Sequence, residues 1–142
     1  MQSKASATWE GDLMGGKGTT SAGSGTFKSA NLSWKARTEG AAAHTTPEEL
    51  LAAAHASCFS MAFSNGLAKA GHKAKKLSVT CTVEFGPKQG GGFEVKSSLL
   101  EVEGEVPGID NDAFQKAATA AKEGCPISGA LKIPVSLRAS LA

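Results

Sequence analysis

The chain has 142 residues and a mass of 14.4 kDa, the size of one ordinary domain. Hydrophobic residues make up 41% and charged residues 20%, enough for a single core and too apolar for a disordered segment. Fifteen Lys+Arg against thirteen Asp+Glu leave a net charge of only +2, the basic residues are scattered and there is no Tyr; this argues against a nucleic-acid module, which needs a basic face with stacking aromatics.

Ala5-Ala7-Trp9 reads as an opening strand. Gly15 to Phe27 reads as a glycine-rich loop with a weak strand, and Leu32-Trp34-Ala36, alternating with Ser33, Lys35 and Arg37, as a further strand. The central helix is the clearest element. Thr46 serves as N-cap, Pro47 fits the first helical position and Glu49 completes a T-x-x-E capping box. The helix runs to Lys69 or Ala70 and stops at Gly71. Leu77-Val79-Cys81-Val83-Phe85 then alternates with polar residues as a half-buried strand, followed by a turn around Gly86-Pro87 and Gly90-Gly91-Gly92. The next strand carries Phe93-Val95 in one phase and Leu100-Val102-Val106 in the other, which predicts a bulge near Leu99-Leu100. Asp110 caps an Ala-rich helix over Asn111 to Glu123 that ends at Gly124, and Ile133 to Leu141 closes the chain as a strand. This order predicts a single α+β domain over residues 1–142 with a mainly antiparallel sheet.

The central helix is apolar nearly all round and would be about 35 Å long at 1.5 Å per residue. Such a helix must be covered on every side, and a homodimer is the natural way for a chain of this size to do it. Leu50 to Ala68 is free of charged residues, but His55, Ser57, Ser60, Ser64, Asn65 and Gly66 interrupt it, so a buried soluble helix is expected rather than a membrane span. Met1 to Glu10 offers no apolar signal core, and the three cysteines show no zinc spacing and cannot all pair. The expected compartment is the cytoplasm, with thiols reduced unless they react.

Cys81 lies on the apolar phase of its strand and reads as a core residue. Cys58 sits within the central helix, whereas Cys125 follows Gly124 and precedes Pro126, at the start of a short turn over Pro126 to Leu131 where backbone N–H groups lower a thiol pKa. Two readings stay open for this pair: an attacking and a resolving thiol, or two inert packing cysteines. His55 and Cys58 share a helix face at i, i+3, which suits a Cys–His dyad or half a metal site; the simpler reading is a helix His bonded within a dimer core. Gly11-x-x-x-x-Gly16-Lys17 nearly matches a phosphate loop, but Gly18 replaces the Ser/Thr and no helix follows, so that assignment is rejected. Arg37 and Glu48 read as a surface cation and a first-turn carboxylate that favours the helix dipole.

The run from Thr46 through His55 and Cys58 to Ala62 resembles the first cysteine motif of the OsmC/Ohr family of thiol peroxidases, and Gly124-Cys125-Pro126-Ile127-Ser128 resembles its second. Trp9-Glu10-Gly11-Asp12, Gly16-Lys17-Gly18-Thr19 and Val106-Pro107-Gly108-Ile109-Asp110 resemble the osmotically inducible protein C branch. The similarity runs in register from about Ala7 to the C-terminus. It implies an OsmC-like fold in an intertwined homodimer, and a peroxidase that reduces organic hydroperoxides, and hydrogen peroxide less well, without haem, metal or other bound cofactor.

By the same resemblance Cys58 is the peroxidatic thiolate, Cys125 the resolving thiol, Arg37 the active-site arginine and Glu48 the carboxylate that holds it. The resemblance implies that an external dithiol, of lipoyl type or another small dithiol, would reopen the disulfide. Thr46 stands where the family usually has Asn, a substitution between two capping residues. Thr38 stands where an aromatic is common, which implies an altered pocket wall. Glu48 and Cys58 are ten positions apart, about 15 Å along an unbroken helix. Either the helix breaks near Ala53 to His55, or each site borrows groups from the partner subunit. Two rival functions make different demands: a Cys58–His55 hydrolase needs no Cys125, and a non-catalytic dimer binding a lipid-like ligand needs neither thiol.

Overall fold

The computed structural model describes residues 1–142, which form two compact units, residues 1–50 and 51–142. The first holds an antiparallel sheet of β1 (Ala5–Glu10), β2 (Lys17–Ala22) and β3 (Ala30–Leu32), in that order. The glycine-rich segment that mimics a phosphate loop is the hairpin turn between β1 and β2. Gly11 takes a positive φ of 88°, the Asp12 carboxylate accepts from the Gly15 N–H at 2.7 Å and the Asp12 carbonyl accepts from the Gly16 N–H at 3.0 Å. Trp9 explains the neighbouring glycines. A Cβ on Gly18 would meet the Trp9 ring at 2.6 Å, and one on Gly16 would meet its Nε1 at 2.7 Å.

One predicted strand is a helix. The alternation over Leu32 to Arg37 ends at β3, and α1 (Trp34–Glu39) follows, so Arg37 projects from a helix rather than from a strand end. The cause is Ser33, whose hydroxyl accepts from the Ala36 N–H at 3.1 Å and caps the turn. Gly40, at φ 83°, stops it.

The central helix, α2 (Pro47–Lys69), is continuous, which closes the helix-break route to uniting Glu48 and Cys58. The Thr46 hydroxyl accepts from the Glu49 N–H at 3.0 Å, but the Glu49 carboxylate accepts from the Thr45 hydroxyl at 2.9 Å, so only half of the capping box forms. At the far end Gly71 takes φ 86°, its N–H reaches the Ala68 carbonyl, and the His72 N–H reaches the Leu67 carbonyl at 2.9 Å. This is a Schellman stop.

The second unit is a sheet in the order β4 (Lys76–Pro87), β5 (Phe93–Glu105), β6 (Val135–Leu141). β4 and β5 form an antiparallel hairpin; β6 joins β5 in parallel, after the crossover through α3 (Asn111–Gly124) and α4 (Pro126–Ala130). The predicted bulge exists, but at Lys96: Glu84 pairs with Ser97 and Phe85 with Val95. Beyond it Ser98, Leu100, Val102 and Gly104 all face inward. Ser98 hid the position of the slip because a hydroxyl occupies a core site.

The core joins Phe59, Phe63 and Leu67 of α2 to Leu100, Val102, Phe114 and Ala118. The Phe63 ring lies 5.6 Å from Phe59 and 5.2 Å from Phe114, centroid to centroid, in tilted contacts. Burying each such ring is worth about 1.5–3 kcal/mol. Gly104 is required by this packing, because a Cβ there would meet the Phe114 ring at 2.6 Å and 2.8 Å. Beyond Glu48 in the first turn, the buried positions of α2 are His55, Phe59, Phe63 and Leu67, one per turn, whereas Ala53, Ala54, Ser57 and Met61 on other faces are exposed. No helix is long and apolar enough to cross a membrane.

Candidate active site

Arg37 and Glu48, both in the first unit, form a bidentate pair. Arg37 donates from Nε to both carboxylate oxygens at 3.1 and 3.2 Å and from Nη2 to Oε1 at 2.8 Å. The carboxylate is nearly buried and the guanidinium only partly so. Two parallel N–H···O bonds fix both the position and the plane of the cation. Arg37 also lines an apolar cavity of about 260 Å³ with Trp9, Leu13, Leu32, Trp34 and Pro47.

The second unit brings Cys58 and Cys125 together. Cys58 lies on α2 and Cys125 immediately precedes α4; the side chains are within hydrogen-bonding reach of each other, and all three cysteines are free thiols. Cys125 is 1% exposed, while Cys58 keeps partial access to solvent. Pro126 at the first position of α4 has no N–H, so the next two amides are the ones that meet sulfur: Ile127 N–H serves both cysteines and Ser128 N–H serves Cys125.

These contacts drive the two thiols apart. Burial pushes Cys58 up, the Ile127 N–H pulls it down, and the hydrogen bond and charge of Cys125 push it up further, for a net rise. Burial also raises Cys125, but the Ser128 N–H, the Cys58 thiol, the Ser128 hydroxyl and the Ile127 N–H together outweigh it and hold Cys125 below its ordinary value. The surroundings within this unit therefore favour the thiolate at Cys125 and disfavour it at Cys58.

His55 is fully buried. Its Nδ1 lies 2.7 Å from the Ser98 hydroxyl and its Nε2 2.7 Å from the Ser128 hydroxyl, and burial lowers its pKa. His55 is thus a bonded core histidine, but both of its partners belong to its own chain, so its bonding needs no dimer core. With both ring nitrogens engaged by serines, neither is left for a Cys58–His55 dyad. Cys81 is half-buried, its thiol 3.2 Å from the Ser98 hydroxyl. The sequence reading missed Ser98 and Ser128. Ser128 carried a signal, three residues after Cys125 in the first turn of a helix; Ser98 carried none beyond the phase slip. No group of three or more His, Cys, Asp or Glu is placed to hold a metal ion.

The sequence profile of the family described as OsmC-like protein matches residues 38–140. The chain is 42% identical to peroxiredoxin OsmC of Escherichia coli (strain K12) over 134 residues, 94% of this chain and 92% of that one. The chain belongs to the OsmC-like family. Among solved structures, the OsmC-like fold superposes on a putative organic hydroperoxide resistance protein of Vibrio cholerae with a TM-score of 0.72 at 28% identity, covering 97% of this chain and 90% of that one. It also matches the organic hydroperoxide resistance protein OsmC of Legionella pneumophila with a TM-score of 0.73 at 23% identity, covering 98% and 96%, a likeness of fold. Both OsmC-like cysteine motifs fall within residues 38–140, and so do Glu48 and the whole His55 network; Arg37 stands one residue outside.

Proposed function

We propose that the protein is a thiol-dependent peroxidase that reduces organic hydroperoxides through Cys58 and Cys125. The observation that carries this reading is the pairing of a partly exposed thiol with a buried one in hydrogen-bonding reach. A peroxide can reach Cys58, and only a neighbouring sulfur can reach Cys125. The name and 42% identity of the Escherichia coli relative support the same activity.

In the first step the Cys58 thiolate attacks the distal peroxide oxygen. An S–O bond forms, the O–O bond breaks, and the alkoxide takes a proton and leaves as alcohol, with Cys58 oxidised to the sulfenic acid. Arg37, held flat by Glu48, stabilises both the thiolate and the charge on the departing oxygen. Cys125 then attacks the Cys58 sulfur. The S–S bond forms, the S–O bond breaks, and hydroxide leaves as water with the proton lost by Cys125. An external dithiol exchanges with the disulfide, returning two thiols and leaving as its own disulfide. The apolar walls beside Arg37 favour an organic peroxide over hydrogen peroxide.

Since α2 is unbroken, this reading takes the Arg37–Glu48 pair for each Cys58 from a partner subunit. The uncharged exposed face of α2, with Met61 68% exposed, supports a homodimer whose second copy covers it. The direct test is turnover. With a lipoyl-type dithiol, the protein is expected to convert cumene hydroperoxide to alcohol catalytically and faster than it consumes hydrogen peroxide. Stoichiometric inertness toward both peroxides would refute the reading. Sedimentation is expected to give twice the 14.4 kDa chain mass. Mixed dimers of a Cys58→Ser chain with an Arg37→Met chain should recover one working site, whereas neither parent alone should.

A further inference from the structure

Five polar groups of the second unit, three buried and two (Cys81 and Ser128) half-buried, form one connected chain: Cys81, Ser98, His55, Ser128, Cys125. The Cys81 sulfur is 3.2 Å from the Ser98 hydroxyl, Ser98 and Ser128 each sit 2.7 Å from a His55 ring nitrogen, and the Ser128 hydroxyl reaches the Cys125 sulfur. His55 and Ser98 are wholly buried, so no solvent replaces a missing partner.

The direction of every bond follows from what each group can donate. A Cys125 thiolate only accepts, so the Ser128 hydroxyl donates to it and must accept from His55 Nε2–H. A neutral imidazole then has its lone pair on Nδ1, which accepts from the Ser98 hydroxyl, and the Ser98 oxygen accepts from the Cys81 S–H. Burial favours this assignment at the middle of the chain and at its far end: it disfavours the charged forms of His55 and of Cys81. Each donor points toward Cys125. The titratable groups facing the chain are Cys58 on α2, beside Cys125, and Cys81 on β4, beside Ser98.

We infer that His55 and Ser128 are positioning residues of the resolving step: His55 locks the Ser128 hydroxyl as a donor to the Cys125 sulfur, and so sets the rate at which Cys125 closes the disulfide on oxidised Cys58. This rests on the peroxidase reading above. The step itself forms the Cys58–Cys125 bond and releases hydroxide from the Cys58 sulfenic acid; Cys125 gives its proton to that hydroxide, and no further oxidant or reductant enters. The chain prepares Cys125 for it by stabilising the attacking thiolate, and it does not touch the peroxide.

The test separates the two half-reactions. Full-length wild type, Ser128→Ala, Ser128→Thr and His55→Gln are mixed with one equivalent of cumene hydroperoxide. Sulfenic acid formation and disulfide closure are then followed separately across pH. Ser128→Ala and His55→Gln are expected to slow closure about tenfold at neutral pH, the scale of one hydrogen bond to a charged group. Sulfenic acid formation should stay at the wild-type rate. The deficit should shrink at alkaline pH, where Cys125 ionises unaided, and Ser128→Thr, which keeps the hydroxyl, should restore closure. Wild-type closure in both variants at every pH would overturn the inference, and so would an equal loss in both half-reactions that alkaline pH does not repair. If His55→Gln fails to fold, the two Ser128 variants carry the test.

A failure of the peroxidase reading looks different: wild type itself would form no sulfenic acid. The pH profile of the Cys125 thiolate's ultraviolet absorbance, read in a Cys58→Ala, Cys81→Ala background because the buried sulfur is closed to alkylating reagents, then decides the inference alone. It should move upward in Ser128→Ala and return in Ser128→Thr, and an unchanged profile in Ser128→Ala would overturn it.

Discussion

The two units organise their polar chemistry in opposite ways. The first holds formal charge: Arg37 is gripped by Glu48 through three hydrogen bonds, with a guanidinium still partly open to solvent. The second has a neutral relay. The groups that lower Cys125 are two backbone N–H groups, one hydroxyl and one thiol, and the imidazole behind them is held uncharged. A neutral relay suits a buried sulfur, because dipoles stabilise a thiolate without the desolvation cost of a second ion. Of these groups only the Ile127 N–H also helps Cys58, and burial and the neighbouring Cys125 outweigh it there.

The comparison breaks most visibly at Cys58. Cys58→Ser is expected to reduce hydroperoxide turnover to background, measured by peroxide consumption in the presence of dithiol, because a serine hydroxyl neither ionises at neutral pH nor forms a sulfenic acid. Arg37→Met removes the charge and leaves a similar apolar stem. It should cost roughly a hundredfold to a thousandfold in turnover, the scale of losing one oxyanion-stabilising group, and should raise the pH at which Cys58 is alkylated. Glu48→Gln keeps one acceptor for the guanidinium and should cost less, about tenfold, on the scale of one charge-assisted hydrogen bond. A Glu48→Gln loss as large as that of Arg37→Met would mean that the carboxylate does more than hold the arginine.

The smallest effect is on stability. His55 ionises less readily in the fold than its ordinary value of 6.5, so the unfolded chain binds the proton first. Its contribution to stability is therefore whole above about pH 6.5 and declines as the pH falls through the interval below it. Denaturant titrations between neutral and mildly acid pH should show this decline in wild type and a flatter profile in His55→Gln. Equal slopes in the two proteins would place the acid sensitivity elsewhere.

Much of this was legible in the sequence, for physical reasons that differ by element. α2 and α3 announced themselves because their stops and caps are local: Thr46, Pro47 and Gly71 for one, Asp110 for the other, whose carboxylate accepts from the Ala113 N–H at 2.8 Å. β4 was legible because a half-buried face alternates with an exposed one from Lys76 to Phe85. α1 was not, since six residues are too few to reveal a period of 3.6 against one of 2, and only the Ser33 cap distinguishes them. The parallel pairing of β6 with β5 follows from the crossover through α3 and α4, a long-range fact that no local pattern carries. At the site, the cysteines and the Arg37–Glu48 pair emerged through the family motifs. The role of the serines did not, although Ser128 stands within the second motif, because Ser98 and Ser128 derive their meaning from a histidine 43 and 73 residues away.

The most direct test of the account is a count of free thiols in reduced protein before and after one equivalent of cumene hydroperoxide, under non-reducing denaturation with peptide mapping. The account predicts three thiols falling to one, with Cys81 spared and Cys58 joined to Cys125 within one chain. Three thiols unchanged, or a disulfide that includes Cys81, would contradict it.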